Sequence, residues 1–211
     1  MPQPLAYLQL DASGEFMLEE ARKRTAKGKK KAEIKHLRYM IDDSRGDIKG
    51  ANLAIFERFI RDFAYCIRNF RSVMIDTATE LLEVRKLAEW GRVQQIMQMY
   101  YGSMYADFRW MVKEARLHDA NVWFLHRMGD EYVNDARTGN DVLKGWKEIQ
   151  YEAQVYVEHD RAENGVFTTT IKECEQNALA MGQVLSTEDD DNDFTHLAMA
   201  VFPDTSEEDW Q

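Results

Sequence analysis

Short apolar runs, each followed directly by a polar residue, alternate along this chain with longer segments of helical period. Three of the runs have the length and composition of buried parallel strands: residues 5–10, 73–75 and 121–125. They are followed by Asp11, Asp76 and His126. Because open α/β sheets bind ligands beyond the carboxyl ends of their strands, these positions are the first candidates for a site.

The segments between these runs predict helices. Apolar residues that recur three and four apart predict an amphipathic helix: Leu53, Phe56, Phe59, Ile60, Phe63 and Ile67. Residues 80–90 predict a second helix, and the pattern from Val93 to Ala115 predicts a third of roughly 25 residues. Residues 32–41 fit either a helix or a strand. Helices between strands require crossover connections, so the pattern predicts an α/β fold with a mainly parallel sheet.

The pattern changes after Gly129. Glycine-containing turns punctuate residues 129–152, which predicts a loop region. Residues 153–159 then alternate between apolar and polar, and residues 166–171 follow across a turn, which predicts an antiparallel hairpin. Residues 194–202 form a last short element whose type the pattern leaves open.

Charge is distributed unevenly over the 211 residues, whose net charge is −10. Nine basic residues fall at 22–38, and nine acidic residues with no Lys or Arg fall at 188–209. A lysine cluster is more often a solvated face than a nucleic-acid contact, and the overall acidity favours the solvated face. We expect one domain over residues 1–185 and an acidic tail over 186–211.

Cysteine usage and hydropathy suggest the compartment. Cys66 and Cys174 are isolated thiols without metal-like spacing, and no signal-peptide pattern precedes them. A reduced, cytoplasmic environment is therefore expected. No apolar run approaches the length that spans a membrane, so no membrane partner is expected.

The ordered motifs resemble those of the RecA-like ATPases of bacteriophages, a family of nucleotide-binding or single-strand-annealing recombinase proteins. The motifs are Leu8-Gln9-Leu10-Asp11 with Glu15 after it, residues 73–77, residues 122–127, and residues 138–140 before the final strands. The resemblance implies a RecA-like, mainly parallel sheet flanked by helices, with an antiparallel carboxyl-terminal hairpin. It also implies ATP and Mg²⁺ as cofactors, single-stranded DNA as a partner in recombination or replication, a homo-oligomer, and the cytoplasm of a bacterial host.

The resemblance also implies roles for individual residues. In such proteins Asp76 would be the Walker B acid that holds Mg²⁺, with Thr77 beside it near the metal and the cofactor, and Asp11 would be a second metal ligand. Glu15 or Asp11 activates the attacking water. By the same resemblance, His126, or Arg127 next to it, would lie where a polar residue senses the terminal phosphate. Carboxylates for the metal and the water, and a donor to the departing phosphoryl oxygen, suit phosphoryl transfer. The residues alone leave simpler alternatives open, since Asp11 and Asp76 also fit helix caps and His126 fits a core histidine.

The sequence departs from the family pattern in one respect. No Gly-x-x-x-x-Gly-Lys-Ser/Thr occurs in the 211 residues. Such a loop cradles the phosphates with backbone amides and a lysine, so we expect triphosphate binding to be weak or absent, and ATP hydrolysis only if a phosphate loop is supplied. The implied amino-terminal strand and phosphate loop are missing. A truncated start, a lost nucleotide site, or completion of the fold by another chain would each explain this.

Two other functions remain open from the sequence. The absent phosphate loop and the acidic surface fit a non-catalytic scaffold or interaction protein built on the same sheet. A metal-dependent nuclease that uses Asp11, Glu15 and Asp76 is a third hypothesis, because carboxylates at strand ends can converge on a metal.

Overall fold

Two compact units make up the chain, residues 3–147 and residues 148–210. The computed structural model describes the following residues: 3–11, 18–19, 33–44, 46–93, 96–133 and 136–210. The domain boundary expected after residue 185 stays a prediction. Most of the basic run at 22–38 lies outside the described residues.

The first unit is built on a four-stranded parallel sheet with the order β2-β1-β3-β4. The strands are β1 (Leu5–Gln9), β2 (Ile34–Arg38), β3 (Ser72–Asp76) and β4 (Asn121–Leu125). The predicted α/β architecture with a parallel sheet is confirmed, and the ambiguous segment at 32–41 contains a strand. In register, Gln9 lies opposite Asp76, and Asp76 lies opposite Leu125.

Three helices follow the predicted order: α1 (Ile48–Asn69), α2 (Ala78–Trp90) and α3 (Gly102–Leu117). Asp47 caps α1 by accepting a hydrogen bond from the Gly50 N–H. The buried stripe of α1 includes Phe59 and Phe63, whose rings stack with centroids 6.3 Å apart. Arg85 of α2 forms an ion pair with Asp107 of α3 at 2.8 Å.

The predicted helix from Val93 to Ala115 is too long at its amino-terminal end. Its apolar stripe is buried only within α3, at positions that include Met104 and Phe108. A 3₁₀ turn over Gln98–Tyr101 precedes α3, and Met97 is exposed. The helical spacing of Val93 and Met97 therefore does not reflect burial, which is the physical basis of such a prediction.

The two faces of the sheet differ in chemistry. Successive residues of a strand point to opposite faces. One face is fully buried and apolar at its centre: Ala6, Leu8, Val73 and Ile75. The other face carries polar side chains near the carboxyl ends of the strands: Tyr7, Gln9, His36 and Asp76. The polar face therefore distinguishes this sheet from ordinary parallel sheets, which are apolar on both sides.

The region predicted as loops after Gly129 forms an antiparallel hairpin instead. Its strands are β5 (Met128–Val133) and β6 (Ala136–Leu143). Most of β6 is exposed, so neither face of the ribbon carries the apolar alternation that marks a strand in a sequence. Trp146, which follows β6, is completely buried against Phe108 of α3.

The second unit contains a three-stranded antiparallel sheet of β7 (Val155–Arg161), β8 (Phe167–Cys174) and β9 (Val184–Ser186). The predicted hairpin corresponds to β7 and β8 and is confirmed, while β9 is an additional strand. Two helices complete the unit: α4 (Ile149–Glu152) and α5 (Phe194–Val201). The segment of open type at 194–202 is therefore helical, and the Trp210 ring stacks on Phe202 with centroids 5.3 Å apart.

Within the described ranges, no helix combines the length and the apolar character that crossing a membrane requires.

Candidate functional site

The carboxyl ends of β1, β3 and β4 meet at one edge of the parallel sheet. The backbone N–H of Leu10 donates to the Asp76 carbonyl oxygen at 2.6 Å, which holds the end of β1 against the end of β3. Strand β2 lies on one side of β1 and β3 on the other, so the connections diverge between β1 and β3. This is the kind of switch point at which open α/β sheets bind ligands, and Asp11 and Asp76 flank it.

Asp76 is a half-buried carboxylate at this edge. The Tyr7 hydroxyl donates a hydrogen bond to Asp76 Oδ2. Burial raises the pKa of Asp76, the Tyr7 bond lowers it, Asp11 raises it and Arg127 lowers it, and the net pKa is above its ordinary value. Burial and the neighbouring Asp76 raise the pKa of Tyr7, which keeps its proton available for donation. The fold therefore compensates the charge of Asp76 only in part, which leaves it suited to a bound cation.

Arg127 connects two carboxylates from different elements. Its guanidinium lies 3.0 Å from Asp11 Oδ2 and 2.6 Å from Glu80 Oε1. The Arg127 side chain is 50% exposed, whereas both carboxylates are largely buried. Glu80, in the first turn of α2, was not among the sequence-predicted site residues, although it follows Asp76 by four residues. Its ion-pair partner, Arg127, follows β4, and no local pattern in the sequence indicates this ion pair.

Two threonines at the start of α2 organise the same edge. Thr77 is almost fully buried and caps α2, because its hydroxyl accepts from the Glu80 N–H at 3.2 Å. Thr79 Oγ1 donates to the Lys144 carbonyl oxygen at 2.9 Å and accepts from the Arg127 N–H at 3.0 Å. Thr79 thus fixes the backbone of Arg127 and the base of the β5–β6 hairpin.

His126 presents a lone pair rather than an N–H to its surroundings. Its Nδ1 lies 3.3 Å from the Lys144 carbonyl oxygen, and that contact requires the proton to be on Nδ1. Burial lowers the pKa of His126 to about 4, although the bond to Lys144 opposes the shift. The ring is neutral at pH 7, and its Nε2 is buried without a hydrogen-bond partner among the described residues. The Arg127 guanidinium, which is half exposed, is the neighbouring group that can donate. The phosphate-sensing role of His126 and Arg127 stays a prediction.

The structure describes both predicted metal ligands, Asp11 and Asp76, but not the predicted water-activating residue Glu15. In the part of the chain that the structure describes, no three His, Cys, Asp or Glu side chains are placed to hold a metal. Magnesium keeps several waters and takes only one or two protein carboxylates, so Asp76 and Asp11 match its donor preference. The Mg²⁺ site stays a prediction.

The observed architecture is that of a mixed α/β protein, with a four-stranded parallel sheet flanked by helices and antiparallel hairpins. No protein-family model matches the chain, and no curated protein matches its sequence significantly. The case for a function therefore depends on the geometry of the carboxyl edge.

Proposed function

We propose that this chain is a RecA-like nucleotide-binding protein that holds Mg²⁺-ATP at the carboxyl edge of its parallel sheet. The observation that supports this most directly is the pair of acids, Asp11 and Asp76, at the β1–β3 switch point. The charge of Asp76 is compensated only in part. Asp76 and Asp11 would hold a divalent cation here, which would supply the missing positive charge and bind the phosphate oxygens.

The surrounding residues have distinct roles in this proposal. Asp76 binds the cation directly or through water, with Tyr7 fixing the orientation of its carboxylate. Arg127 is half exposed, so it can exchange one of its carboxylate partners for a phosphate oxygen. Thr77 and Thr79 fix the backbone that carries these groups. The chemistry that the bound cation supplies is neutralisation of the phosphate charge during phosphoryl transfer.

Calorimetric titration with Mg²⁺-ATP tests this function. We expect saturable binding with a dissociation constant in the millimolar range, because the sequence has no glycine-rich lysine loop. Asp76→Ala should weaken binding at least about tenfold by removing the cation ligand. Asp119→Ala, which changes an exposed acid before β4, is the matched control and should bind as the wild type does.

Two results of this titration would count against the proposal. Equal affinity in the Asp76→Ala variant would place the nucleotide elsewhere. A complete absence of heat would favour the alternative function, a non-catalytic scaffold or interaction protein.

We further propose that the protein acts on single-stranded DNA, in phage recombination or replication in the cytoplasm of the host. The support is the basic run at residues 22–38, of which Lys35 and Arg38 lie exposed in β2. A homo-oligomer, as the resemblance implies, would place several such segments along one strand.

A labelled-oligonucleotide binding assay at increasing salt tests the DNA proposal. The apparent affinity should fall by about tenfold or more between roughly 50 and 200 mM salt, because bound Lys and Arg release condensed counterions. Lys35→Gln should reduce the slope of log affinity against log salt by about 1, whereas Lys113→Gln on α3 should not change it. Binding that does not respond to salt, or no binding at low salt, would exclude this role.

A further inference from the structure

Gln9 is a completely buried polar side chain at the end of β1. Its exposure is 0%. Its Oε1 lies 2.7 Å from His36 Nε2. Its Nε2, which carries two N–H donors, is buried without a hydrogen-bond partner among the described residues. A buried amide donor without a hydrogen-bond partner destabilises the folded state, so we expect a small molecule to accept from it here.

His36 determines which atom of the Gln9 amide has no hydrogen-bond partner among the described residues. The Gln9 Oε1 faces His36 Nε2, and because an amide oxygen can only accept, this contact places the imidazole proton on Nε2. The Tyr7 ring packs beside His36, with centroids 5.6 Å apart, and limits the freedom of the imidazole. The amide NH₂ of Gln9 is consequently turned away from β2.

Asp76 supplies the complementary group. It is the register partner of Gln9 on the adjacent strand, and the two side chains leave the same face of the sheet. Tyr7 donates to Oδ2 of Asp76 and is the one side chain in the described ranges that donates to this carboxylate. The second oxygen, Oδ1, is therefore an acceptor that matches the unused donor of Gln9.

We propose that Gln9 holds a buried water on Asp76: the Gln9 amide donates to the water, and the water donates to Asp76 Oδ1. A water fits because it accepts from one group and donates to the other, and because it is small enough for a site that solvent does not reach. Gln9 is thus a positioning residue that acts on the carboxylate through the water, and His36 orients Gln9.

The role of this water in metal binding rests on the proposed function, whereas its presence does not depend on that function. With Tyr7 on one oxygen and the water on the other, Asp76 is held from both sides in a fixed orientation. Groups that orient a metal-binding carboxylate in this way typically change metal affinity by about 10–100-fold when they are removed.

A high-resolution crystal structure of the wild-type protein tests the presence of the water. The expected result is a water within hydrogen-bond distance of both Gln9 Nε2 and Asp76 Oδ1. A Gln9 amide that bonds directly to another protein group, or a site without water density, would overturn the proposal. This measurement does not require any variant to fold.

Titration with Mn²⁺, followed by electron paramagnetic resonance, tests the positioning role. Gln9→Met should lower the Mn²⁺ affinity by about tenfold. Gln3→Met is the matched control, because the Gln3 Oε1 accepts from the Glu33 N–H away from this edge, and it should bind Mn²⁺ as the wild type does. Unchanged affinity in Gln9→Met would refute the positioning role. If the wild type binds no Mn²⁺, the proposed function fails, and the crystal structure alone decides whether Gln9 holds the water.

Discussion

Replacing Trp146 by alanine is expected to lower the free energy of unfolding of the first unit by about 3–5 kcal/mol. The Trp146 side chain is 0% exposed. Its ring centroid lies 5.6 Å from that of Phe108 and 6.4 Å from that of Tyr105. Alanine would leave a large cavity beside α3 and would release the chain that follows β6. The contact between Thr79 and Lys144 should weaken as a result, since Lys144 is two residues before Trp146.

Urea denaturation of the wild type and the variant measures this effect. The matched control is Tyr132→Ala on β5, because Tyr132 is an aromatic residue of the same unit that is 61% exposed. It should change the free energy of unfolding by less than about 0.5 kcal/mol. If Trp146→Ala is as mild as the control, Trp146 does not anchor the hairpin as described.

Tyr7→Phe is expected to lower the free energy of unfolding by about 1.5–3 kcal/mol at pH 7, the range for hydrogen bonds to charged groups. The Tyr7 hydroxyl donates to the half-buried carboxylate of Asp76, and phenylalanine keeps the ring while removing the donor. Burial already raises the pKa of Asp76, and the Tyr7 bond opposes that rise. Without the bond, the pKa of Asp76 should rise further.

The effect should depend on pH in one direction. A carboxyl whose pKa is raised by folding destabilises the folded state once it ionises, so its cost appears as pH rises from the ordinary value of 3.8 through the folded pKa. Below 3.8 the carboxyl is protonated in both states and the cost disappears. The difference between Tyr7→Phe and wild type should therefore be largest at neutral pH and should shrink in acid.

A double-mutant cycle with Asp76→Asn isolates this interaction. Asparagine keeps the shape and an acceptor oxygen but removes the charge, so Tyr7→Phe should cost less in that background, nearer the value of about 1 kcal/mol for neutral hydrogen bonds. A Tyr7→Phe cost that is the same at pH 7 and in acid, and the same in both backgrounds, would show that the hydroxyl does not stabilise an ionised Asp76.

Much of the sheet could be predicted because its strands are buried and short. The apolar run at 73–75 and the aromatic stripe of α1 carry the periods of elements that face a core, so the sequence predicts both. The β5–β6 hairpin lacked such a signal, since most of β6 is exposed and the ribbon has no apolar face. The helical spacing of Val93 and Met97 misleads in the opposite way. It predicts a helix, but these apolar residues are exposed and lie before α3 begins.

The sequence predicts the site residues that lie at strand ends. It does not predict those whose role depends on contacts with residues far away in the chain. Residues after parallel strands share one edge, which brings Asp11, Asp76 and Arg127 together. Tyr7 and Gln9 lie inside β1 and were missed, although polar residues at alternate positions of a buried strand are themselves a signal. The lone pair of His126 results from a carbonyl 18 residues away, which no local pattern indicates.

A crystal structure with Mn²⁺ and a non-hydrolysable ATP analogue would show where the protein binds the metal and the nucleotide. We expect an anomalous peak for Mn²⁺ at the carboxyl edge of the sheet, bound to Asp76 directly or through one water, with the phosphates within reach of Arg127. A cation or nucleotide bound away from the ends of β1 and β3, or no binding at millimolar concentrations of both, would contradict it.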